Sequence, residues 1–173
     1  ICVQEILDFL QIQPGQTGLD ATLGYGGHSS KMLGCLKGKG HLYALDVDPI
    51  EIKKTKERLE KMGYKEDILT IKQMNFADVD KLKEEAGGFD FVLADLGVSS
   101  MHPERGFTYK FEGPLDLRLN PEKGISAAER LKDISQPELE GMLIENSDEP
   151  YAKEISNTII SGIRRGNAIT TTT

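Results

Sequence analysis

Short apolar runs alternate with amphipathic stretches through the first 95 residues of the chain. The apolar runs predict four β-strands, at residues 17–23, 41–46, 68–74 and 89–95. Helical patterns predict helices before and between them, at residues 3–10, 29–36, 49–62 and 77–85. This order predicts an α/β protein with a parallel sheet and helices on both faces. We expect the fourth strand to be buried on both faces, because it is apolar along most of its length.

The pattern changes after residue 95. Residues 96–120 contain several Gly and Pro residues and predict a long loop, a kind of segment that is usually functional or disordered. Residues 126–164 are helical in pattern, with breaks near 134–137 and 148–150. We therefore divide the chain into the first half of a cofactor-binding core, residues 1–97, and a substrate loop with a helical insertion, residues 98–173.

A glycine-rich loop follows the first predicted strand. Its residues Gly24, Gly26 and Gly27 precede His28 and a helix, and Asp46 ends the second strand. This arrangement of strand, glycine turn, helix, strand and acid is typical of a nucleoside-cofactor site on a doubly wound sheet. Glycines allow the backbone to turn tightly and approach the cofactor, and the terminal acid can accept hydrogen bonds from ribose hydroxyls.

The acids around this loop favour one cofactor over another. The G-x-G-x-x-G spacing of dinucleotide sites lacks its third glycine here. Three strands end near acids, Asp20, Asp46 and Asp95, which would repel a pyrophosphate and suit a positive centre. The pattern therefore favours S-adenosylmethionine, which carries a sulfonium and no phosphate. An NAD-dependent oxidoreductase is the alternative.

Composition restricts the function classes further. The chain has 173 residues, 38% of them hydrophobic and 28% charged, which is typical of one globular domain. Its net charge of −7 argues against tight nonspecific binding to nucleic acid. No apolar run is long enough to predict a membrane span. Cys2 and Cys35 have no C-x-x-C spacing, so we predict neither a metal site nor a disulfide, and a reducing cytoplasm is the default.

Six motifs occur in a fixed order along the chain. They are residues 20–28 (Asp-Ala-Thr-Leu-Gly-Tyr-Gly-Gly-His), 46–49 (Asp-Val-Asp-Pro), 75–78 (Asn-Phe-Ala-Asp), 95–100 (Asp-Leu-Gly-Val-Ser-Ser), 104–107 (Glu-Arg-Gly-Phe) and 113–118 (Gly-Pro-Leu-Asp-Leu-Arg). Together they resemble the ribosomal RNA small-subunit methyltransferase H family, over residues 3–169. The resemblance implies a Rossmann-like fold and S-adenosylmethionine-dependent methylation of the N4 amine of a cytidine in 16S rRNA, with the small ribosomal subunit as partner.

The resemblance also implies the site. The cofactor-binding residues that it implies are Gly26, Gly27, His28, Asp46, Phe76, Asp95 and His102. Asp95 is also the catalytic candidate, since amino methyltransferases place a hydrogen-bond acceptor after the fourth strand, and Ser99 is a further polar contact there. His102 lies in a loop that is shorter than the family's, opposite a cofactor-contacting glutamine.

Several of these residues have a second interpretation. Asp48 fits a helix N-cap before Pro49 better than a ligand. His28 could present its ring to solvent, and Phe76 could be an ordinary core aromatic. The charged run at residues 53–58 is interpreted as a solvated helix face.

The loop and the insertion are the predicted RNA-binding parts. Arg105 and Arg118 lie near Phe107, Tyr109 and Phe111, and rings beside guanidinium groups are typical of single-stranded RNA recognition. In the alternative interpretation, Phe107 and Phe111 anchor the loop to the core.

The sequence is interpreted as part of a longer protein, because no strand is predicted after residue 95 and a C-terminal motif of the family has no counterpart. A catalytically inactive fragment that binds the cofactor or the ribosome is therefore a second alternative. The oligomeric state is open, with a homodimer among the states considered.

Overall fold

The structure is a computed structural model that describes residues 2–98 and 103–173. The chain divides into two compact units, Ile1–Ser99 and Ser100–Thr173. Within the described ranges, none of the helices has the length and apolar character needed to cross a membrane.

The first unit contains a four-stranded parallel sheet. Its strands are β1 (Thr17–Asp20), β2 (His41–Asp46), β3 (Leu69–Gln73) and β4 (Phe91–Leu93), in the order β3-β2-β1-β4. This is the order of one half of a doubly wound sheet, and it confirms the predicted α/β class. Asp20 pairs with Ala44 and Leu93 in the register, so the carboxyl ends of the strands lie at one edge.

Helices cover both faces of this sheet. On one face lie α1 (Val3–Leu10), α2 (Gly27–Leu36) and α3 (Pro49–Lys61), around a core that includes the fully buried Met32 and Leu42. The other face carries a 3₁₀ helix (Phe76–Leu82) and α4 (Lys83–Ala86), which pack on a second core. The buried members of that second core are Leu19, Ala21, Tyr43, Leu45 and Leu82.

Local chemistry explains where α3 begins. The Asp48 carboxylate accepts hydrogen bonds from the backbone N–H groups of Ile50 (2.9 Å) and Glu51 (3.3 Å). Pro49 occupies the first helical position, where its missing N–H costs nothing. The interpretation of Asp48 as an N-cap is confirmed.

The prediction for the fourth strand is wrong in extent and burial. β4 spans only Phe91–Leu93, and Val92 is 52% exposed. Phe91 and Leu93 point to the face covered by α1, α2 and α3, whereas Val92 points to the face of the 3₁₀ helix and α4. The core on which those two short helices pack includes residues of β1 and β2, and Val92 is not among its members.

Three other boundaries differ from the predictions. β1 ends at Asp20, because its carboxylate accepts the N–H of Thr22 and turns the chain. α2 begins at Gly27, two residues before the predicted start. The segment predicted as one helix at 77–85 is the 3₁₀ helix followed by α4, and the Asn75 side chain caps its start by accepting the N–H of Ala77.

The second unit is a small helical assembly. It contains a short 3₁₀ turn (Pro103–Arg105) and the helices α5 (Ala127–Asp133), α6 (Gln136–Ser147) and α7 (Ala152–Arg164). Ile134, Leu139 and Ile160 form its buried core. Ser126 and Glu129 form a capping box at the start of α5, and the predicted helix breaks near 134–137 and 148–150 are confirmed.

We expect Gly18→Ala to destabilise the first unit. A Cβ at residue 18 would lie 2.0 Å from the ring of Phe91, which is buried in the core, so the ring would have to move. Urea unfolding should show a loss of about 1–3 kcal/mol, as for other overpacked cores. Gly141→Ala is the matched control, because a Cβ in the middle of α6 meets nothing within 4 Å. It should stabilise by about 0.5–1 kcal/mol, and equal effects of the two variants would contradict the packing argument.

Candidate cofactor site

Acidic residues meet the glycine-rich loop at the carboxyl edge of the sheet. Asp20 ends β1, Asp46 ends β2, and Asp95 follows β4 by two residues. The glycine loop, residues 24–27, crosses this edge between β1 and α2. Backbone bonds continue the sheet beyond the strand ends, since Leu23 donates to the Leu45 carbonyl over 2.7 Å.

The Asp46 carboxylate holds the glycine loop and the start of α3 in one place. Its Oδ2 accepts the N–H of Gly24 (2.8 Å), and its Oδ1 accepts the N–H of Asp48 (2.9 Å). Each carboxylate oxygen has a second acceptor site, so Asp46 can still accept two further donors, such as a pair of vicinal hydroxyl groups.

Asp20 is the most deeply buried acid of the site. Its Oδ2 accepts the hydroxyl of Ser29 (2.6 Å), its Oδ1 accepts the N–H of Thr22 (3.1 Å), and the residue is 1% exposed. Burial raises the pKa of Asp20 above its ordinary value, and the nearby Asp46 raises it further. The two hydrogen bonds and His28 act in the opposite direction.

His28 and Asp95 lie beside each other. The distance from His28 Nδ1 to Asp95 Oδ2 is 3.6 Å, and the two side chains are 14% and 57% exposed. The alternative of a solvent-facing His28 ring is therefore wrong. The Thr22 hydroxyl accepts the N–H of Asp95 (2.8 Å), which links the loop after β1 to the segment after β4.

Two of the three loop glycines are required by the backbone conformation or by close packing. Gly24 and Gly26 have positive φ angles, 46° and 77°, which side chains other than glycine rarely adopt. At Gly26 a Cβ would also lie 2.6 Å from the methyl group of Thr55. Gly27 has open space around it and begins α2, whose first-turn N–H groups have no acceptor within the helix.

Phe76 lies beyond the end of β3 at the same edge, and it is 45% exposed. The alternative of an ordinary core aromatic is therefore wrong.

His102 and Ser99 lie outside the described residues. The structure thus brings together the glycine loop, His28, Asp46 and Asp95, with Asp20 beneath them.

Sequence reasoning missed Arg58 and Thr55. Most of the charged run is exposed as predicted, but Arg58 packs against the glycine loop, and its guanidinium carbon lies 3.5 Å from the centre of the Tyr25 ring. The hydroxyl of Thr55 donates to the Gly24 carbonyl (2.7 Å). The only signal in the sequence is the spacing of three residues, which places 55 and 58 on one side of a helix.

In the second unit, Arg105 and Arg118 both have intramolecular partners. Arg118 pairs with both oxygens of Asp116, through Nε and Nη2, and donates to the Gly124 carbonyl (3.0 Å). Hydrogen bonding from Arg118 lowers the pKa of Asp116. Arg105 donates to the Leu119 carbonyl (3.0 Å). These contacts give Arg118 a structural role that its predicted assignment to RNA did not include.

The aromatic residues of this unit separate into two groups. Tyr109 and Phe111 are 80% and 61% exposed, while Phe107 is partly buried with the Arg105 guanidinium 5.0 Å above its ring. The interpretation of Phe111 as an anchor to the core is wrong.

Comparison with known proteins identifies the family. The model of the MraW methylase family matches residues 1–173. The chain belongs to this family. A protein named ribosomal RNA small subunit methyltransferase H 1, from Lachnoclostridium phytofermentans, is 71% identical over 176 residues, which cover 100% of this chain and 48% of the relative. The family match confirms the resemblance inferred from the six motifs.

A second curated relative and a solved structure are also similar to this chain. Ribosomal RNA small subunit methyltransferase H 2 from Alkaliphilus metalliredigens is 66% identical over 100% of this chain and 50% of its own length. A solved rRNA methylase from Streptococcus thermophilus is 23% identical with a TM-score of 0.41, over 47% of each chain, which is too distant to inform function. The chain thus spans about half the length of the curated relatives that it matches.

We expect Asp20→Asn to gain stability relative to the parent protein as pH rises. Because burial raises the folded-state pKa of Asp20 above 3.8, folding favours the protonated acid. The contribution of Asp20 is therefore fully present below the unfolded pKa and lost as pH rises through the folded pKa. Asn cannot ionise, so the difference in free energy of unfolding should move in favour of the variant as pH rises above the unfolded-state pKa and through the raised folded-state pKa.

Urea unfolding at a series of pH values measures this difference. Ser29→Ala serves as a second variant, because it removes a hydrogen bond to the charged form and should make the loss with pH larger. A difference that stays constant with pH would contradict the role of burial.

Proposed function

We propose that the protein uses S-adenosylmethionine to methylate the N4 amine of a cytidine in 16S rRNA of the small ribosomal subunit. Membership of a methylase family and relatives named as small-subunit rRNA methyltransferases support the reaction class. The choice of cofactor rests on one observation. The carboxylates of Asp20, Asp46 and Asp95 lie beside the glycine loop at one edge of the sheet. The specificity for cytidine N4 rests on the sequence resemblance.

The residues of this edge fit the groups of such a cofactor. Asp46 has acceptor sites for the two ribose hydroxyls, and the exposed Phe76 can border the adenine. The first turn of α2, at Gly27 and His28, can meet the methionine carboxylate with backbone N–H groups. When bound, S-adenosylmethionine supplies a methyl group on a positively charged sulfur.

The charge of the site argues against a dinucleotide. A pyrophosphate bound near Asp46 and Asp95 would bring like charges together, and Asp20 lies in the low-dielectric interior directly below. A cofactor with sulfonium and ammonium groups has the opposite sign and gains from the same field. We therefore favour S-adenosylmethionine over NAD.

The acceptor amine sets a second requirement. The lone pair of a cytosine N4 is delocalised into the ring, so the site must hold the amine in position and accept its hydrogen bonds as the nitrogen becomes more pyramidal. Asp95 is exposed enough to contact a ligand and is oriented by Thr22 and His28. In this proposal it accepts a hydrogen bond from the substrate amine or from the cofactor's amino group, the second being the role that the resemblance favours.

We expect Asp46→Ala to weaken binding of S-adenosylmethionine by about 1.5–3 kcal/mol, the loss expected for charge-assisted hydrogen bonds. Asp90→Ala is the matched control. Its carboxylate also accepts a backbone N–H, that of Thr17 over 2.7 Å, but it precedes β4 and therefore lies at the opposite edge of the sheet. Isothermal titration calorimetry should show a loss for Asp46→Ala and none for Asp90→Ala.

The same titration, together with a methyl-transfer assay, separates the alternatives. Equal affinity of both variants would reject this site, and preferential binding of NAD would favour the oxidoreductase. Cofactor binding without transfer of a labelled methyl group to small subunits would favour the alternative of a cofactor- or ribosome-binding protein without turnover.

We expect Tyr109→Ala to lower methyl transfer to rRNA by about fivefold or more without changing cofactor affinity. Among the described residues of the second unit, Tyr109 is the most exposed of the Phe and Tyr residues, and its ring could stack on an unpaired base, a contact worth about 1–3 kcal/mol. Tyr151→Ala is the control, since Tyr151 is also exposed, at 66%, but lies at the start of α7. A tritium-transfer assay with assembled small subunits compares them, and equal losses would reject the stacking role.

A further inference from the structure

Helix α3 contacts the glycine loop through two side chains one turn apart. Thr55 is fully buried, donates its hydroxyl to the Gly24 carbonyl, and packs its methyl group against Gly26. Arg58 donates through Nη2 to the carbonyl of Tyr25 and to the Thr55 hydroxyl oxygen (2.6 Å). Two consecutive loop carbonyls are therefore bound to the same helix.

The contacts form one connected chain. Arg58 donates to Thr55, and Thr55 donates to Gly24, so each hydrogen bond polarises the next. The Arg58 guanidinium carbon also lies 3.5 Å from the centre of the Tyr25 ring, which is a cation–π contact. On the other side of the loop, Asp46 accepts the N–H of Gly24.

This arrangement matters because the backbone of the loop is intrinsically flexible, and Asp46 holds only its first residue. Three of its four residues are glycines, which lose more conformational entropy on ordering than any other residue. A loop that is ordered before the ligand arrives binds more tightly. The apparent affinity is the intrinsic affinity reduced by the fraction of molecules whose loop already has the binding conformation. Arg58 and Thr55 restrict the loop from the side of α3, away from the acids of the site.

We propose that Arg58, acting through Thr55 and Tyr25, is a positioning residue that holds the glycine loop in its cofactor-binding conformation. The inference rests on the proposed function, because it assigns the loop to S-adenosylmethionine. It adds a determinant of affinity that lies on α3 and contacts the loop backbone.

The first experiment measures the loop without a cofactor. Amide hydrogen exchange, followed by mass spectrometry over residues 24–27, should be about tenfold faster in Arg58→Ala than in the parent protein. Thr55→Val, which keeps the shape of the side chain and removes the hydroxyl, should act in the same direction. Lys54→Ala is the matched control, because it removes the same charge from an exposed position of α3. Unchanged exchange in both Arg58→Ala and Thr55→Val would overturn the proposal.

The second experiment measures affinity. By calorimetry, Arg58→Ala should bind S-adenosylmethionine about tenfold more weakly, while Lys54→Ala binds as the parent does. Arg58→Lys keeps the charge but lacks the planar fork of donors, so it should recover part of the affinity. A residue that served only overall stability would lower the melting temperature without changing exchange in the loop more than elsewhere.

The two experiments fail in different ways. Faster loop exchange with unchanged cofactor affinity would overturn the role in binding and leave the proposed function intact. A parent protein that does not bind S-adenosylmethionine would overturn the proposed function, and with it the cofactor role of Arg58. The exchange measurement would still decide whether Arg58 orders the loop.

Discussion

The bridge formed by the Asp46 carboxylate is the interaction on which the rest of the site depends. One oxygen accepts the N–H of Gly24 and the other accepts the N–H of Asp48, so a single side chain joins the end of β2 to the glycine loop and to the cap of α3. Asp48 in turn starts the helix that carries Thr55 and Arg58 back to the loop. The loop is therefore held from both sides by elements that meet at Asp46.

The same edge carries an electrostatic cost. Asp20 is buried beneath the loop, and its neighbours only partly offset the loss of solvent, so its pKa is raised. Burying a carboxyl group near another acid, here Asp46, is unfavourable unless hydrogen bonds or an opposite charge compensate. Ser29 and Thr22 supply hydrogen bonds, and the nearby His28 also lowers the pKa of Asp20. Under the proposed function, a positively charged cofactor would complete this compensation.

How much the sequence predicted depends on the kind of contact. The α/β class, the four strands and the cap at Asp48 follow from local patterns that are independent of tertiary packing, and the structure has all of them. The exposure of Val92 could not be predicted, because it depends on which residues pack over β4 in the folded protein, and local sequence does not encode this. Arg58 looked like a solvated residue because its partner, the Tyr25 carbonyl, is 33 residues away in the chain.

The second unit limits how an acidic protein could recognise RNA. The chain has a net charge of −7, and Arg118 already neutralises Asp116 within the unit. Phosphate contacts depend on basic groups that displace the cations condensed on the RNA backbone, whereas stacking on a base needs only an exposed ring. Tyr109 and Phe111 are such rings, two residues apart and on either side of the exposed Lys110. Under the proposed function, recognition of an unpaired base therefore fits this unit better than recognition of the RNA backbone.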